Sequence, residues 1–323
     1  MPQYSSSFRN NIRRERITDD TFVRTVTFNL SDYGTISTTD YEANGDLFKR
    51  AYSDVVNRVY DPNTIINLTV PEGDYYFRGT NDLNQYLILN PPQGGQIKIV
   101  GVSRTGTRPT STTLASQTKA QNYTTLANHY RTRFHFSYNG FYMKSIFGGA
   151  TGGVGGFTNI AFFGTWNGSP GNQVTSPTVD SRGLCGNMRL EYCAIHGFNG
   201  PTPNSCGILA ESVAISHYAL IVSNCGRGIQ ANGGGSCVGF SANSDSDRDI
   251  IVNCDYEGLL AFENSTIRVG DSGAHIRNTG QYGAYAFDCS SIIVRNASFS
   301  GNGAGSIYVY PGTNSIIHTT TVY

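Results

Sequence analysis

The sequence predicts an all-β chain folded as a right-handed parallel β-helix, a three-sheet solenoid with an N-terminal capping helix. Three observations predict it: a repeat in the last third, a composition of strand and turn formers, and one amphipathic stripe near the start. The repeat aligns on a glycine followed by three small or apolar residues. Coils begin Gly207-Ile208-Leu209-Ala210, Gly228-Ile229-Gln230-Ala231, Gly258-Leu259-Leu260-Ala261 and Gly283-Ala284-Tyr285-Ala286, with a degenerate fifth at Ser306-Ile307-Tyr308-Val309. The starts lie 21, 30, 25 and 23 residues apart. A second short strand follows in each coil: Val213–Ile215, Val238–Phe240, Ile267–Val269, Ile292–Val294 and Ile316–Ile317. A third follows at Ala219–Val222, Ile250–Val252, His275–Ile276 and Ser298–Phe299. Three short strands per period make one turn of a solenoid. Each strand then pairs in parallel with its equivalent one coil away, at ~4.8 Å, and neighbouring coils bury each other's apolar faces.

Asn224, Asn253, Asn278 and Asn302 recur near the coil ends. Asparagine tolerates a left-handed backbone at a bend, and stacked asparagines are expected to satisfy each other's amides.

The composition fits. Only 14% of the 323 residues are charged, against about 25% in ordinary domains. Glycine, serine, threonine and asparagine take that share, while 12% aromatics and the Val/Ile runs favour a packed chain over a disordered one. The length suits one large domain or two small ones. The formal net charge is zero, so bulk electrostatics point to no nucleic-acid partner. One local exception is the run Arg9, Arg13, Arg14 and Arg16, which either touches an acidic partner surface or is solvated. The seven cysteines (Cys185, Cys193, Cys206, Cys225, Cys237, Cys254 and Cys289) are odd in number and show no CxxC spacing. They read as buried, reduced thiols of a protein made in a reducing cytoplasm, with Cys225 and Cys254 stacked in an inward ladder. No signal peptide is expected, and no apolar run long enough to span a membrane is present.

Along the chain, residues 1–28 read as an arm, 29–96 as a capping module and 97–323 as the β-helix. Residues 21–30 alternate as one strand. Leu47, Phe48, Ala51, Tyr52, Val55, Val56 and Val59 draw one stripe, which predicts a helix over 46–60 with Asp46 at its N-cap or in its first turn. Short strands are expected at Ile65–Val70, Tyr86–Leu89 and Ile97–Val100. Residues 103–130 read as a Thr/Ser/Gln-rich excursion without a further convincing helix. Loops are expected at 148–156 and 164–183, with upstream coils at Phe157–Phe163 and Met188–Ile195.

Several motifs occur in an order that resembles the pectate-lyase-like β-helix family, which includes many bacteriophage tailspikes. Leu30-Ser31-Asp32-Tyr33-Gly34 resembles its DFGA strand end, and the helix that follows resembles its capping helix. Val70-Pro71-Glu72-Gly73-Asp74-Tyr75 is similar to its PxGxY turn, and Ile97-Lys98-Ile99-Val100-Gly101 to its first IxIxG coil. The aspartate-rich segment of the family is degenerate here, at Thr39–Asp46. The resemblance covers residues 28–102 by motif and the rest by repeat. It implies a homotrimer in the virion tail, made in the bacterial host cytoplasm, that contacts other tail proteins and host cell-surface polysaccharide, with no membrane insertion. On this reading the basic arm attaches to another virion protein, and a neighbouring subunit or another protein covers the C-terminal edge.

No phosphate loop, GxSxG elbow or HExxH helix is present, and no cofactor or metal is implied. Glu263 and Asp288 hold equivalent positions on adjacent coils, and Glu211 joins them if one gap is allowed. Stacked carboxylates one coil apart come near the ~5–5.5 Å of retaining glycosidases, and can divide acid and base roles. A solvated corner ladder is the other reading. Asp245, Asp247 and Asp249 alternate as calcium ligands do, but the pattern lacks the EF-hand glycine and glutamate, and a polar loop is expected. His196, His217 and His275 read as packed or surface residues. Trp166, Tyr282 and Tyr285 are candidates for stacking on sugar rings, although aromatics on a wall also pack on one another. The expected function is host glycan recognition by a tailspike or tail-fibre protein, with a polysaccharide depolymerase (hydrolase or lyase) and a purely structural virion component as alternatives.

Overall fold

A computed structural model describes residues 13–16, 22–61, 63–78, 86–144, 155–164, 179–239, 247–269 and 273–320. Three sheets of 11, 8 and 8 strands run through them, which we number as walls in the order one coil visits them. In one coil, wall 1 takes Ala214–Tyr218, wall 2 takes Ile221–Ser223 and wall 3 takes Arg227–Asn232. The chain then returns to wall 1 at Ser236–Gly239, parallel to the strand it left. This is the right-handed parallel β-helix expected from the repeat. Among the described strands, only Arg13–Arg16 pairs antiparallel, with Phe22–Asn29. Phe22–Asn29 itself pairs in parallel with Thr64–Val70, so solenoid pairing already starts within the segment read as an arm.

The predicted register is the observed one. Ile208, Ile229, Leu259, Ala284 and Ile307 stand in line on wall 3. Ile215, Cys237, Ile267, Ile292 and Ile317 do so on wall 1. Inward residues alternate with outward ones, as the period of a strand requires. One left-handed residue turns wall 1 into wall 2 at Asn159, Tyr192 and Ala219, with φ of 58°, 52° and 52°. Asn224, Asn253 and Asn278 turn wall 2 into wall 3 with φ of 53°, 55° and 54°, a conformation asparagine adopts more readily than most residues.

Their side chains do something other than expected. They do not ladder with each other's amides; each engages a helical excursion lying over wall 2. The Asn122 amide donates to Asn224 Oδ1 at 2.8 Å, while Asn253 and Asn278 donate to the carbonyls of Leu114 and Ala115 at 2.9 Å each. Carbonyls in the last turn of a helix lack intrahelical partners, and the coil corners supply donors to them.

That excursion is the main departure from the sequence reading. Residues 103–130 contain two helices, α2 (Ser111–Ser116) and α3 (Lys119–His129). Thr110 and Thr118 cap them, the latter in a full capping box with Gln121. Leu114, Tyr123, Leu126 and Tyr130 pack onto outward-facing Ala161, Phe163, Ala194, Ile221, Ile250 and Val252. Wall 2 is therefore apolar on both faces.

The capping helix α1 spans Tyr41–Val56 rather than 46–60. Its N-cap is Asp40, whose carboxylate accepts from the Ala43 N–H at 2.9 Å. Asn44-Gly45 resembles a turn but lies inside the helix. Gly45 lets α1 approach the next strand so closely that a Cβ would stand 2.0 Å from the Tyr76 carbonyl oxygen. Asn44 donates to the carbonyls of Ser37 and Asp74 at 2.8 Å each, which ties the helix start to wall 2. Phe48 brings α1 onto an aromatic core formed with Phe77, Phe134 and Phe141.

Six cysteines are buried, as expected, and all seven are unpaired; Cys289 is exposed. It occupies a corner in left-handed conformation (φ 58°). Cys225 and Cys254 stack inside the solenoid, one residue beyond the paired Asn224 and Asn253 positions. Cys185 and Cys206 pack with Leu209 in a separate cluster on wall 3, against Tyr86 and Tyr142.

Candidate functional site

The corner from wall 3 to wall 1 carries the acidic residues. Ala261 and Ala286 pair, so Glu263 and Asp288 are equivalent on adjacent coils. Both are exposed, with φ of 55° and 56°. Glu263 reaches toward the preceding coil, where its Oε2 accepts from the Gly233 N–H at 3.1 Å. Glu211 is exposed too, but it pairs with Asn232 and so lies in the column of Phe262 and Phe287. The structure therefore brings Glu263 and Asp288 to one corner and sets Glu211 one column aside. The coil of Glu211 has one residue fewer in this corner, three between Ala210 and Ala214 against four between Ala261 and Thr266, which shifts the register.

The aromatic candidates fall on the outer face of wall 3. Tyr282 stacks on Tyr308 with centroids 4.7 Å apart and planes 12° apart. Tyr285 is tilted against both, at 5.7 Å from Tyr282 and 5.3 Å from Tyr308. Phe287 continues the run beside Tyr285 at 5.2 Å and stacks on Phe262 at 5.1 Å. Tyr310, 51% exposed, follows on the last coil. This forms a half-exposed aromatic strip crossing three coils. Beside it Arg227 bonds Glu257 at 2.7 Å and Gln230 at 3.1 Å, a polar clasp with Glu257 buried. Trp166 and Asp245 lie outside the described residues.

The histidines are packed, as expected. His196 Nδ1 meets Ser223 Oγ at 2.8 Å, and His275 Nδ1 meets Ser298 Oγ at 2.6 Å. His217 is buried against the Asp249 carboxylate at 3.2 Å. Burial disfavours the imidazolium, but the adjacent carboxylate outweighs burial and holds its pKa well above the ordinary value. Asp249 thus serves the interior, accepting also from the Leu220 N–H at 2.9 Å.

One cleft was not anticipated from the sequence. Thr158, Glu191 and Tyr218 stand in line on wall 1 of three successive coils, just before the wall 1 to wall 2 corner. The segment Ser103–Arg108 runs along this corner before entering α2. Arg108 holds it down, donating to the carbonyls of Arg248 at 2.7 Å and Leu220 at 3.1 Å. Between segment and corner lies a cleft of about 590 Å³. The Arg104 guanidinium lies 4.3 Å over the Tyr192 ring, and Tyr218 meets that ring edge-on at 5.0 Å. Glu191 is held by Arg189 at 2.6 Å and by the Thr158 hydroxyl at 3.3 Å, and Asp247 accepts from the Tyr218 hydroxyl at 3.2 Å. Of these residues, sequence reasoning singled out only Asp247. Comparison of the chain with protein-family models, with curated proteins and with solved structures finds no match to any of the three.

Proposed function

We propose that the protein recognises a cell-surface polysaccharide along the outside of its β-helix, as a homotrimeric tailspike or tail-fibre component of a bacteriophage virion. The observation that carries this reading is the aromatic strip of Tyr282, Tyr285, Tyr308 and Tyr310. Extended saccharides present C–H faces that pack on aromatic rings, while phenolic hydroxyls at the strip's edge bond sugar hydroxyls. A strip crossing two coils, continued by Phe287 and Phe262 onto a third, offers successive platforms to a chain lying along the solenoid axis. The motif order around Asp32–Gly34, Pro71–Tyr75 and Ile97–Gly101 supports the viral setting. On the same reading the basic arm attaches to another virion protein.

Tyr285→Ala is expected to weaken binding to the cognate bacterial polysaccharide about tenfold, a loss of ~1.4 kcal/mol, with an unchanged thermal midpoint. Unaltered affinity would remove the strip from the binding surface. Reducing-end release on the same polysaccharide separates recognition from cleavage. If wild type cleaves and either Glu263→Gln or Asp288→Asn costs ~100-fold in rate, the corner carboxylates form the acid–base pair of a depolymerase. If no ends are released, the protein binds without cutting. Native mass measurement is expected to give a trimer; a monomer at micromolar concentration would contradict that state.

A further inference from the structure

We infer that the cleft under Ser103–Arg108 is a second saccharide subsite, specific for a neutral, polyhydroxylated sugar. The inference rests on the glycan reading above and assigns it a site away from the aromatic strip. Wall 3 carries the strip, whereas the cleft follows the corner between walls 1 and 2. A second, separate subsite would hold a long polymer at two points and raise its effective affinity without new contacts at the first.

The lining decides the ligand chemistry. His129, 5% exposed, is among the residues lining the cleft. Its Nδ1 lies 2.6 Å from the Thr105 carbonyl oxygen. A carbonyl only accepts, so Nδ1 carries the proton and Nε2 presents a bare lone pair in the neutral ring. Burial, which outweighs the Thr105 bond, lowers the pKa of this imidazole and keeps it neutral. Nε2 is buried without a hydrogen-bond partner, and such an acceptor costs stability unless a ligand or water supplies a donor. Glu191 and Asp247 add carboxylate acceptors along the same cleft. Each is oriented by a hydroxyl from the adjacent coil, Thr158 for Glu191 and Tyr218 for Asp247.

This set of acceptors calls for a ligand rich in donors. Among the described residues, no three His, Cys, Asp or Glu side chains come close enough together to hold a metal ion. The acceptors are instead spread around a volume suited to one or two sugar rings. Hydroxyls of a pyranose are donors distributed over that span. The two carboxylates of the lining, Glu191 and Asp247, are balanced by the two guanidinium groups of Arg104 and Arg108, so a ligand without net charge is favoured. Arg104, laid flat on Tyr192, supplies the donor for a ring or glycosidic oxygen.

The test uses the full-length protein and an array of bacterial O-antigen and capsular oligosaccharides, sorted into neutral and uronic-acid-containing sets. Wild type should bind members of the neutral set. Glu191→Gln with Asp247→Asn should weaken that binding tenfold or more, while retaining the strip's Tyr285 dependence. Ser103→Trp provides a second probe, because Ser103 is exposed at the cleft's rim and an indole there would fill the cleft without disturbing the core. It should weaken binding similarly, with an unchanged melting temperature. Binding that depends on Tyr285 but is indifferent to both cleft variants would overturn the subsite and leave the glycan reading standing. Preference for uronic-acid oligosaccharides would overturn the assigned chemistry. Failure of wild type to bind any member of the array would overturn both readings.

Discussion

Asp74→Ala is expected to cost about 3 kcal/mol of unfolding free energy, the lower end of the range for removing one partner from a buried charge pair, because Asp74 and Arg133 are only partly buried. Asp74 receives both arms of the Arg133 fork, Nε and one terminal nitrogen, at 2.7 Å each, and His135 Nε2 at 2.8 Å. Arg133 also donates to the Ala127 carbonyl at 3.0 Å, so the cluster joins wall 2 to α3. Burial alone would raise the Asp74 pKa. The His135 hydrogen bond and the Arg133 fork outweigh it and hold the group at about 2, below its ordinary 3.8. A depressed carboxylate contributes stability that is complete above its unfolded pKa and disappears as pH falls through the folded one. Acid unfolding of wild type should therefore show a Asp74-dependent loss between pH 4 and pH 2, which the alanine variant lacks. Urea titration at neutral pH checks the magnitude, and hydrogen exchange in Lys119–His129 checks the link to α3. A change below about 1 kcal/mol, the scale of a surface ion pair, would show that the cluster is not structural.

Phe134→Ala is expected to cost about 3–5 kcal/mol, the range for truncating a fully buried phenylalanine. Phe134 has no exposed surface, and its ring lies 5.1 Å from Phe48 and 5.2 Å from Phe77. It also meets Tyr75 at 5.4 Å and Phe162 at 5.8 Å. It thus connects α1, which covers the N-terminal end of the solenoid, with the coils behind. An uncovered solenoid end is a row of unpaired strand edges. Loss of this ring should therefore promote self-association on heating, detected by light scattering, before the distal coils melt. Unchanged stability would mean that α1 is held by contacts other than this aromatic core.

The repeat was legible because solenoid stacking is written into sequence spacing. The glycine-led coil starts lie in register on wall 3, and the Val/Ile triplets that follow fill walls 1 and 2. The helices α2 and α3 were harder to see because their polar faces are rich in serine, threonine and glutamine. Two signals were nevertheless present. Thr118 and Gln121 have capping-box spacing. Wall 2 strands such as Ile250-Ile251-Val252 are apolar on both faces, as a strand covered on its outside must be. The start of α1 was displaced because Asn44-Gly45 resembles a turn; only the closeness of the Tyr76 carbonyl explains a glycine inside that helix.

The candidate sites divide in the same way. Tyr285 alternates with inward-facing Ala284 and Ala286, so its outward placement follows from coil register. Tyr282 has the parity of Ala284 and reaches the outer face only because the alternation breaks at the start of its strand. The Glu263 and Asp288 equivalence was legible from coil register. The offset of Glu211 depends on a corner one residue shorter, and the gap allowed in the alignment hid it. The cleft was not legible at all. Arg104 and Tyr192 are brought together by the excursion crossing a corner, a contact that no spacing along the chain encodes. His129 could be noticed only once its two ring nitrogens were seen in different surroundings.

Binding of the wild-type protein to an array of bacterial surface polysaccharides, read at millimolar sugar equivalents, tests the central claim most directly. The account predicts saturable binding to a restricted set of neutral polymers, lost on unfolding and weakened by Tyr285→Ala. No binding to any polymer, or binding that Tyr285→Ala leaves unchanged, would contradict recognition along the aromatic strip.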